Sequence, residues 1–449
     1  MLFIALITFI VFIYLTYRNP LLALATLCAL LPTYLLRFEI SVPFEALAKN
    51  GGIPFTILEI IIWAIFFGWF FSLLWKNASS TSTLWKRGVR GDLIILKKRL
   101  QFIKWPLAIF FVASIIAIFI SPEKLSALGV WRAYFLESII TFLLLLAIIK
   151  NKNDFKKIVF GLSIPALYIS LYAIAQRFFG APIPYPWQNE LRITSIFEYP
   201  NAVGLFLAPI IILIVGQIIS NPKFKSLTNY YLLLATILSL LAIIFAKSDG
   251  AIFSVIGAGI LFILLNLFFN KKYKSGVVIL LLVFLAGGLL FSVLEMAQEK
   301  IMLQDWSGFV RLTIWGETWN MLRNNWFFGA GLSGYQTAII PFHESRDWME
   351  IFLYPHNIIL NFWSELGLIG LASFLWLLEK FGKVCYTSIK SSPLWKRGVR
   401  GDLIFMITAI CAMSALLIHG LVDVPYFKND LSILFWIIYS MPIILSSHN

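Results

Sequence analysis

Apolar residues in this chain run on in long, nearly unbroken stretches, and the charged residues collect between them. Strict alternation would predict half-buried strands, and a one-sided 3.6-residue pattern would predict helices lying on a soluble core. Stretches that are apolar on every face predict helices in lipid, where backbone N–H and C=O groups find no water and must pair within the helix. A hydrocarbon layer about 30 Å thick needs about 20 helical residues to cross it. Such runs occur at 2–17, 20–36, 54–75, 105–120, 130–149, 158–178, 203–219, 230–246, 251–269, 277–294, 358–378, 404–422 and 431–445. The first two are short and separated only by Arg18, Asn19 and Pro20, so twelve or thirteen crossings are expected. The predicted fold class is all-α, a polytopic integral membrane helical bundle of about 12–13 transmembrane helices with a small helical outer loop region. Its expected organisation is an N-terminal transmembrane bundle at 1–294, an outer loop with an amphipathic helix at 295–357, and C-terminal transmembrane helices at 358–449. Met1 leads straight into apolar residues without a basic n-region or a small-residue cleavage site, so no signal peptide is expected.

Composition agrees with the pattern: 60% of the 449 residues are hydrophobic and 13% charged, against roughly 45–50% and 25% in soluble domains. Disorder, a collagenous chain and an ordinary cytosolic enzyme are thereby excluded. The net charge of +14 suggests either an anionic partner such as nucleic acid or the basic cytoplasmic loops that orient a membrane protein, and position decides between them. Loops 18–19, 76–104, 150–157, 220–229, 270–276 and 379–403 hold 24 Lys and Arg; the alternate loops 37–53, 121–129, 176–202, 247–250, 295–357 and 423–430 hold 11. Asp and Glu run the other way, 4 against 15. The first set is assigned to the cytoplasm and the second to the outside, which is periplasm if the host has an outer membrane. The excess charge is topological, and the expected partner is the lipid bilayer, with no nucleic acid. Cys28, Cys385 and Cys411 sit in apolar or juxtamembrane runs without CxxC spacing, which supports neither a disulfide framework nor a metal knuckle.

One eleven-residue segment, Leu84-Trp-Lys-Arg-Gly-Val-Arg-Gly-Asp-Leu-Ile94, recurs identically at Leu394–Ile404, both copies in cytoplasmic loops. Two distant copies do not make a solenoid. They read as a duplicated loop insertion or as a basic contact for lipid headgroups.

Polar groups on the outer side carry the chemical information, because ionisable side chains near hydrocarbon are costly unless they line a cavity or find a partner. Arg192 opens the stretch Arg192-Ile-Thr-Ser-Ile-Phe-Glu-Tyr-Pro-Asn-Ala-Val-Gly204 and is either an anion ligand or an interfacial anchor. Ala246-Lys-Ser-Asp-Gly-Ala251 has the composition of a tight turn. The segment from Arg311 is amphipathic at helical spacing, with Leu312, Trp315, Trp319 and Leu322 on one face, and leads into Trp326-Phe-Phe-Gly-Ala-Gly-Leu-Ser-Gly-Tyr335. That glycine run lacks the strand and βαβ setting of a dinucleotide loop. Within Tyr354-Pro-His-Asn357, Asn357 is placed to cap the next helix, which gives a purely structural turn. Two features favour chemistry instead. Of four histidines, His343, His356 and His419 all fall in outer loops or outward helix ends, and imidazole is the natural base for activating a hydroxyl at neutral pH. No HExxH or paired ligand spacing supports zinc.

Taken in order, Arg192…Pro200-Asn201…Gly204, Arg311…Trp315…Phe328-Gly-Ala-Gly331 and Pro355-His-Asn-Ile-Ile-Leu360…Glu365-Leu-Gly367…Gly370 resemble the O-antigen ligase and polymerase superfamily, with an O-antigen ligase-related region spanning about 190–378. The resemblance implies a membrane glycosyltransferase that takes a glycan from undecaprenyl diphosphate on the outer face and moves it to an acceptor hydroxyl of a lipid, glycan or protein. In that setting His356 matches the general base, and Arg192 the arginine that contacts the lipid diphosphate. Arg311 matches the arginine opening the amphipathic outer helix, where the resemblance implies contact with the substrate or its diphosphate carrier. Many members carry Ser-Arg-Gly where this chain has Ser248-Asp249-Gly250, and Lys247 is the cation standing nearest to the missing arginine. Asn357, Glu365 and His343 are expected in supporting roles, Glu365 as a structural partner two and a half turns past His356. The resemblance implies an inverting reaction; no DxD-like acidic cluster appears on the outer side, so chemistry without metal or cofactor is expected. The alternatives are a polysaccharide polymerase using the same donor and, from a different class, a lipid-linked sugar transporter. A transporter calls for paired charges near midplane on broken helices, whereas the in-span ionisable residues here are Glu59, Arg132, Glu137 and Glu365.

Overall fold

The computed structural model describes residues 1–40, 53–79, 93–221, 226–293, 298–299, 302–343, 350–391 and 400–446. Most of each copy of the repeat, 84–92 and 394–399, lies outside these residues; the described ends, Leu93-Ile94 and Arg400–Ile404, begin helices. Among the described residues nine helices are long and apolar enough to cross a membrane, and ten if Leu93–Leu100 and Lys104–Ile120, bent by 85°, form one span. The runs at 2–17 and 20–36 form the shorter apolar helices Leu2–Arg18 and Pro20–Ala29, and the run at 277–294 lies in helix Tyr273–Val293. The chain is therefore an all-α, multi-pass membrane protein.

Burial sorts the spans by position. Pro200–Ser220 and Asn429–Ser446 are each 83% buried and lie at the centre, whereas Asp249–Phe269 is 11% buried and turns most of its surface to lipid. Pro200–Ser220 packs along Arg400–Gly420, and a side chain at Gly216 would come within 2.0 Å of Thr408 Oγ1. One end of the bundle is tied by Arg99. Its guanidinium donates to the carbonyls of Leu146 (2.5 Å), Ile149 (2.7 Å), Lys150 and Ile444 (both 3.4 Å). These are the terminal carbonyls of helices Glu137–Ile148 and Asn429–Ser446, which need donors and present negative dipole ends. Nearby in sequence, Lys152 pairs with Asp402 of the second repeat copy at 2.5 Å. All three side chains, Arg99, Lys152 and Asp402, come from segments that the charge count assigns to the cytoplasm.

At the other end, Arg37–Ile40 and Ile53–Thr56 form an antiparallel pair with Arg37 opposite Thr56, an element that hydropathy alone does not foresee. Arg132 holds it by donating to the Pro54 carbonyl (2.6 Å) and lies over the Phe55 ring. The in-span charges are wired accordingly. Arg132 meets Glu59 at 3.0 Å and Glu137 at 3.8 Å, so its closer partner is 73 residues away and not its helical neighbour. Thr56 and Glu59 form a reciprocal capping box at the start of Ile57–Ser79.

The glycine run is a packing joint. Ala330 N–H donates to the Ser364 carbonyl (2.6 Å), Leu368 N–H to that of Phe327 (2.9 Å), and Leu332 N–H to that of Ala117 (3.1 Å). Helix Ile358–Ser391 breaks at Gly367, whose φ of 70° and ψ of −175° are open essentially to glycine alone. A Cβ there would lie 2.3 Å from the Phe327 carbonyl oxygen, and one at Gly329 2.4 Å from that of Ser364. Gly367→Ala is expected to destabilise the protein by at least about 2 kcal/mol, seen as a lower thermal midpoint in detergent; a midpoint equal to wild type would show that the break is not needed.

Candidate active site

The turn before Ile358–Ser391 is fixed from three sides. Asn357 Oδ1 accepts from the N–H groups of Ile359 (3.0 Å) and Leu360 (3.1 Å), capping the helix. Its Nδ2 donates to the Leu421 carbonyl (3.0 Å), which joins this turn to the connection after Arg400–Gly420. Trp315 Nε1 donates to the Pro355 carbonyl (2.9 Å), so helix Trp306–Asn324 holds the same turn from the outer loop. Between these ties His356 adopts φ +48°, a left-handed conformation uncommon outside glycine and asparagine. The ring of Tyr354 stands 4.8 Å from the His356 ring and that of Phe352 5.4 Å.

His356 Nδ1 is buried and faces Asp423 Oδ1 at 3.5 Å, a long contact with no closer partner among the described residues. Asp423 is 1% exposed; its Oδ1 accepts from the Val424 N–H (2.8 Å) and its Oδ2 from Asn201 Nδ2 (3.2 Å). Burial would raise this carboxyl, but His356, His419 and the Val424 amide outweigh it and pull it down to about 2. Asn201 Oδ1 in turn accepts from Arg192 Nη2 at 3.5 Å. One polar chain thus runs from Arg192 through Asn201 and Asp423 to His356.

Arg192 is seated on backbone. It donates to the carbonyls of Ala246 (3.3 Å) and Lys247 (3.4 Å), stacks over Trp187 at 5.1 Å and approaches Glu190 at 3.8 Å. Burial first, and Arg311 besides, hold its guanidinium below the usual range, while Glu190 and Asp249 act the other way. Arg311 anchors through Nε to the Val422 carbonyl (3.0 Å), one residue from Asp423, and through Nη1 to Ser307 Oγ (2.6 Å). Lys247, at φ +51°, sends Nζ to the Glu190 carbonyl (2.8 Å). The lysine therefore fastens the loop that presents Arg192, and its own carbonyl is one of the arginine's seats. Gly204 lets this turn approach Pro200–Ser220: a Cβ there would stand 2.7 Å from Ser248 Oγ.

Of the expected residues, His356, Asn357 and Arg311 meet the 421–424 turn directly, Arg192 is joined to it through Asn201, and Lys247 supports Arg192. Two supporting candidates have other partners. Glu365 Oε2 accepts from the Ser333 N–H (2.6 Å) and fastens the glycine run, and His343 Nδ1 lies 3.2 Å from Glu317 on the outer helix. His419 is buried against Gly250, where a Cβ would be 2.7 Å from its ring. Sequence reasoning gives no role to Asp423 or Asn201, although both are in view: Asn201 within the 192–204 stretch, and Asp423 as an acid in the short connection 423–430. What was missing is the fold that brings residues 201, 356 and 423 together.

The arrangement provides a base with an orienting carboxylate beside two guanidinium groups whose charges act on each other. It is suited to taking a proton from a hydroxyl next to an anionic group. Residues 234–375 match the family model described as O-Antigen ligase, a region that contains Lys247, Arg311, His356 and Glu365 but neither Arg192 and Asn201 nor Asp423. No curated protein matches the chain.

The Asp423 carboxyl titrates lower in the folded protein than in the unfolded chain, so its contribution to stability is present above about pH 4 and lost as pH falls toward 2. Asp423→Asn is expected to cost on the order of 2 kcal/mol at pH 6, with the gap to wild type narrowing as pH falls through that window. Thermal unfolding at a series of pH values checks this; a gap that stays constant would contradict it.

Proposed function

Taking as premise that the chain carries an O-antigen ligase region at 234–375, we propose that it is a glycosyltransferase of the inner (plasma) membrane. In this reading it moves a glycan from undecaprenyl diphosphate to an acceptor hydroxyl on the outer face, with inversion and without a metal. The observation that carries the reading is the polar chain from Arg192 through Asn201 and Asp423 to His356, with Arg311 anchored one residue from Asp423. It joins an anion-binding group to a base through fixed hydrogen-bonding side chains, all from segments that the charge count assigns to the outside.

The chemistry follows from that order. His356 takes the proton of the acceptor hydroxyl, and the oxygen attacks the anomeric carbon from the face opposite the diphosphate. The bond from that carbon to the diphosphate oxygen breaks, and the lipid diphosphate leaves with the electron pair. Asp423, on the Nδ1 side, orients the ring and balances the imidazolium that forms. Arg192 and Arg311 meet the charge that grows on the leaving diphosphate; guanidinium groups held in place beforehand need no reorganisation as it develops. Lys247 and Asn357 are positioning residues, one for the Arg192 loop and one for the His356 turn.

In a transfer assay with the reconstituted full chain and an undecaprenyl-diphosphate glycan, His356→Ala is expected to lower kcat by about 10²–10⁴-fold, and Arg192→Ala to raise KM and lower kcat. Asp423→Asn is expected to lower kcat with KM little changed. Folded His356→Ala and Arg192→Ala proteins with full activity would sink the reading. Product length separates the two acceptor classes, because a single transfer marks a ligase and a ladder on the carrier marks a polymerase.

A further inference from the structure

Helix Trp306–Asn324 in the outer loop carries large apolar groups on its exposed side as well as on its buried one. Its inward side buries Glu317 and Thr318 together with Ile314, Met321 and Leu322, and sends Arg311 and Trp315 to the site. Its outward side carries large apolar groups: Trp306 is 64% exposed, Phe309 38%, Leu312 49% and Trp319 44%. The sequence pattern sets Leu312, Trp315, Trp319 and Leu322 on one face, but the structure splits them, with Leu322 at 1% exposure. The exposed edge continues into the next turn with Trp326 at 54% and Phe328 at 51%. Scattered exposed apolar residues need no explanation, but a contiguous aromatic edge does.

The depth of this edge is fixed by its backbone. The turn is bonded to the Ile358–Ser391 span through Ala330 and Ser364, and Trp363 Nε1 donates to the Trp326 carbonyl at 2.6 Å. Its next residues meet the end of the Lys104–Ile120 helix, where Leu332 N–H donates to Ala117 and a Cβ on Gly331 would touch Ser121 N. The turn that ends the aromatic edge therefore sits level with the end of an apolar helix of the bundle, and Trp315 ties the helix itself to the start of the Ile358–Ser391 span through the Pro355 carbonyl, the level where headgroups lie. Tryptophan and other amphipathic aromatic groups are favoured at that level. Arg323, 5.7 Å over the Trp319 ring at the helix C-terminus, has the reach to place its charge among phosphates.

We propose that Trp306–Asn324 and the following turn form an interfacial element. Its outward edge lies in the outer-leaflet headgroup region, and its inward edge holds Arg311 at the site. A diphosphate on a membrane-embedded lipid then reaches the two arginines while its chain stays in the bilayer. The delivery role rests on the glycosyltransferase reading; the membrane placement rests on the geometry alone.

Single cysteines at Phe309 and Leu312, carrying nitroxide labels in the full chain in phosphatidylethanolamine and phosphatidylglycerol vesicles, test the placement. A label at exposed Asn189 serves as the aqueous reference, and the unmodified chain, whose Cys28, Cys385 and Cys411 are buried, as the blank. The ratio of collisions with oxygen to collisions with a water-soluble nickel chelate is expected to be several-fold higher at 309 and 312 than at 189. Equal ratios overturn the proposal. Phe309→Ser with Leu312→Ser is expected to raise KM for the lipid-linked donor several-fold at unchanged kcat, and an unmoved KM removes the delivery role. Wild-type protein without transfer activity but with lipid-contacting labels would refute the glycosyltransferase reading and leave the interfacial placement standing.

Discussion

A carboxylate withdrawn from water must be met by donors from the protein, and in this chain Asp423 imposes that requirement on three separate outer connections. The Val424 amide meets it locally and Asn201 from the start of a central span, while His356, in the turn before another, stands 3.5 Å away. None of these segments is near the others in sequence, so the demand of one buried charge sets their register. The rest of the outer architecture follows from it: Arg311 reaches the neighbouring carbonyl of Val422, Asn357 that of Leu421, and Arg192 is connected through Asn201. The opposite end of the bundle obeys the same rule with the sign reversed, where the buried guanidinium of Arg99 collects the carbonyls of two helix ends. A bundle held together mainly by apolar contact gains its unique arrangement from these two ionic knots, one at each end.

Hydrophobic runs made the architecture legible. Each expected crossing corresponds to a helix, because in hydrocarbon the backbone has no other way to pair. The runs at 2–17 and 20–36 correspond to helices shorter than a full span, because Asn19-Pro20 divides one apolar stretch into two. The strand pair at Arg37–Ile40 and Ile53–Thr56 escaped because four residues per strand carry too little periodicity, and it is secured by Arg132, a partner invisible in the local sequence.

The site was legible to the extent that its residues stand out as rare types on one side of the membrane. His356, Arg192 and Arg311 could be singled out that way, whereas Asp423 was one acid among many outer acids and Asn201 one amide among many. Their roles come from partners 67 and 222 residues away, Asp423 to His356 and to Asn201 respectively. Lys247 illustrates the converse. Its charge made it a natural replacement for a missing arginine, yet its ammonium is engaged by the Glu190 carbonyl, and its contribution to Arg192 comes through its own backbone oxygen. The glycine run shows the same lesson for shape: what resembles a phosphate loop in one dimension is a close approach of two chains, set by the positive φ of Gly329, Gly331 and Gly367.

The left-handed backbone at His356 sets stability against function at a single residue. A β-carbon in that conformation costs roughly 1–2 kcal/mol, and the fold accepts the cost because Asn357, Trp315 and the Leu421 carbonyl fix the turn on both sides. Glycine is the residue that would relax this backbone, and it is also the residue that discards the imidazole. A more stable molecule is therefore one substitution away at this position, and in the proposed reading it is the one substitution that removes the base.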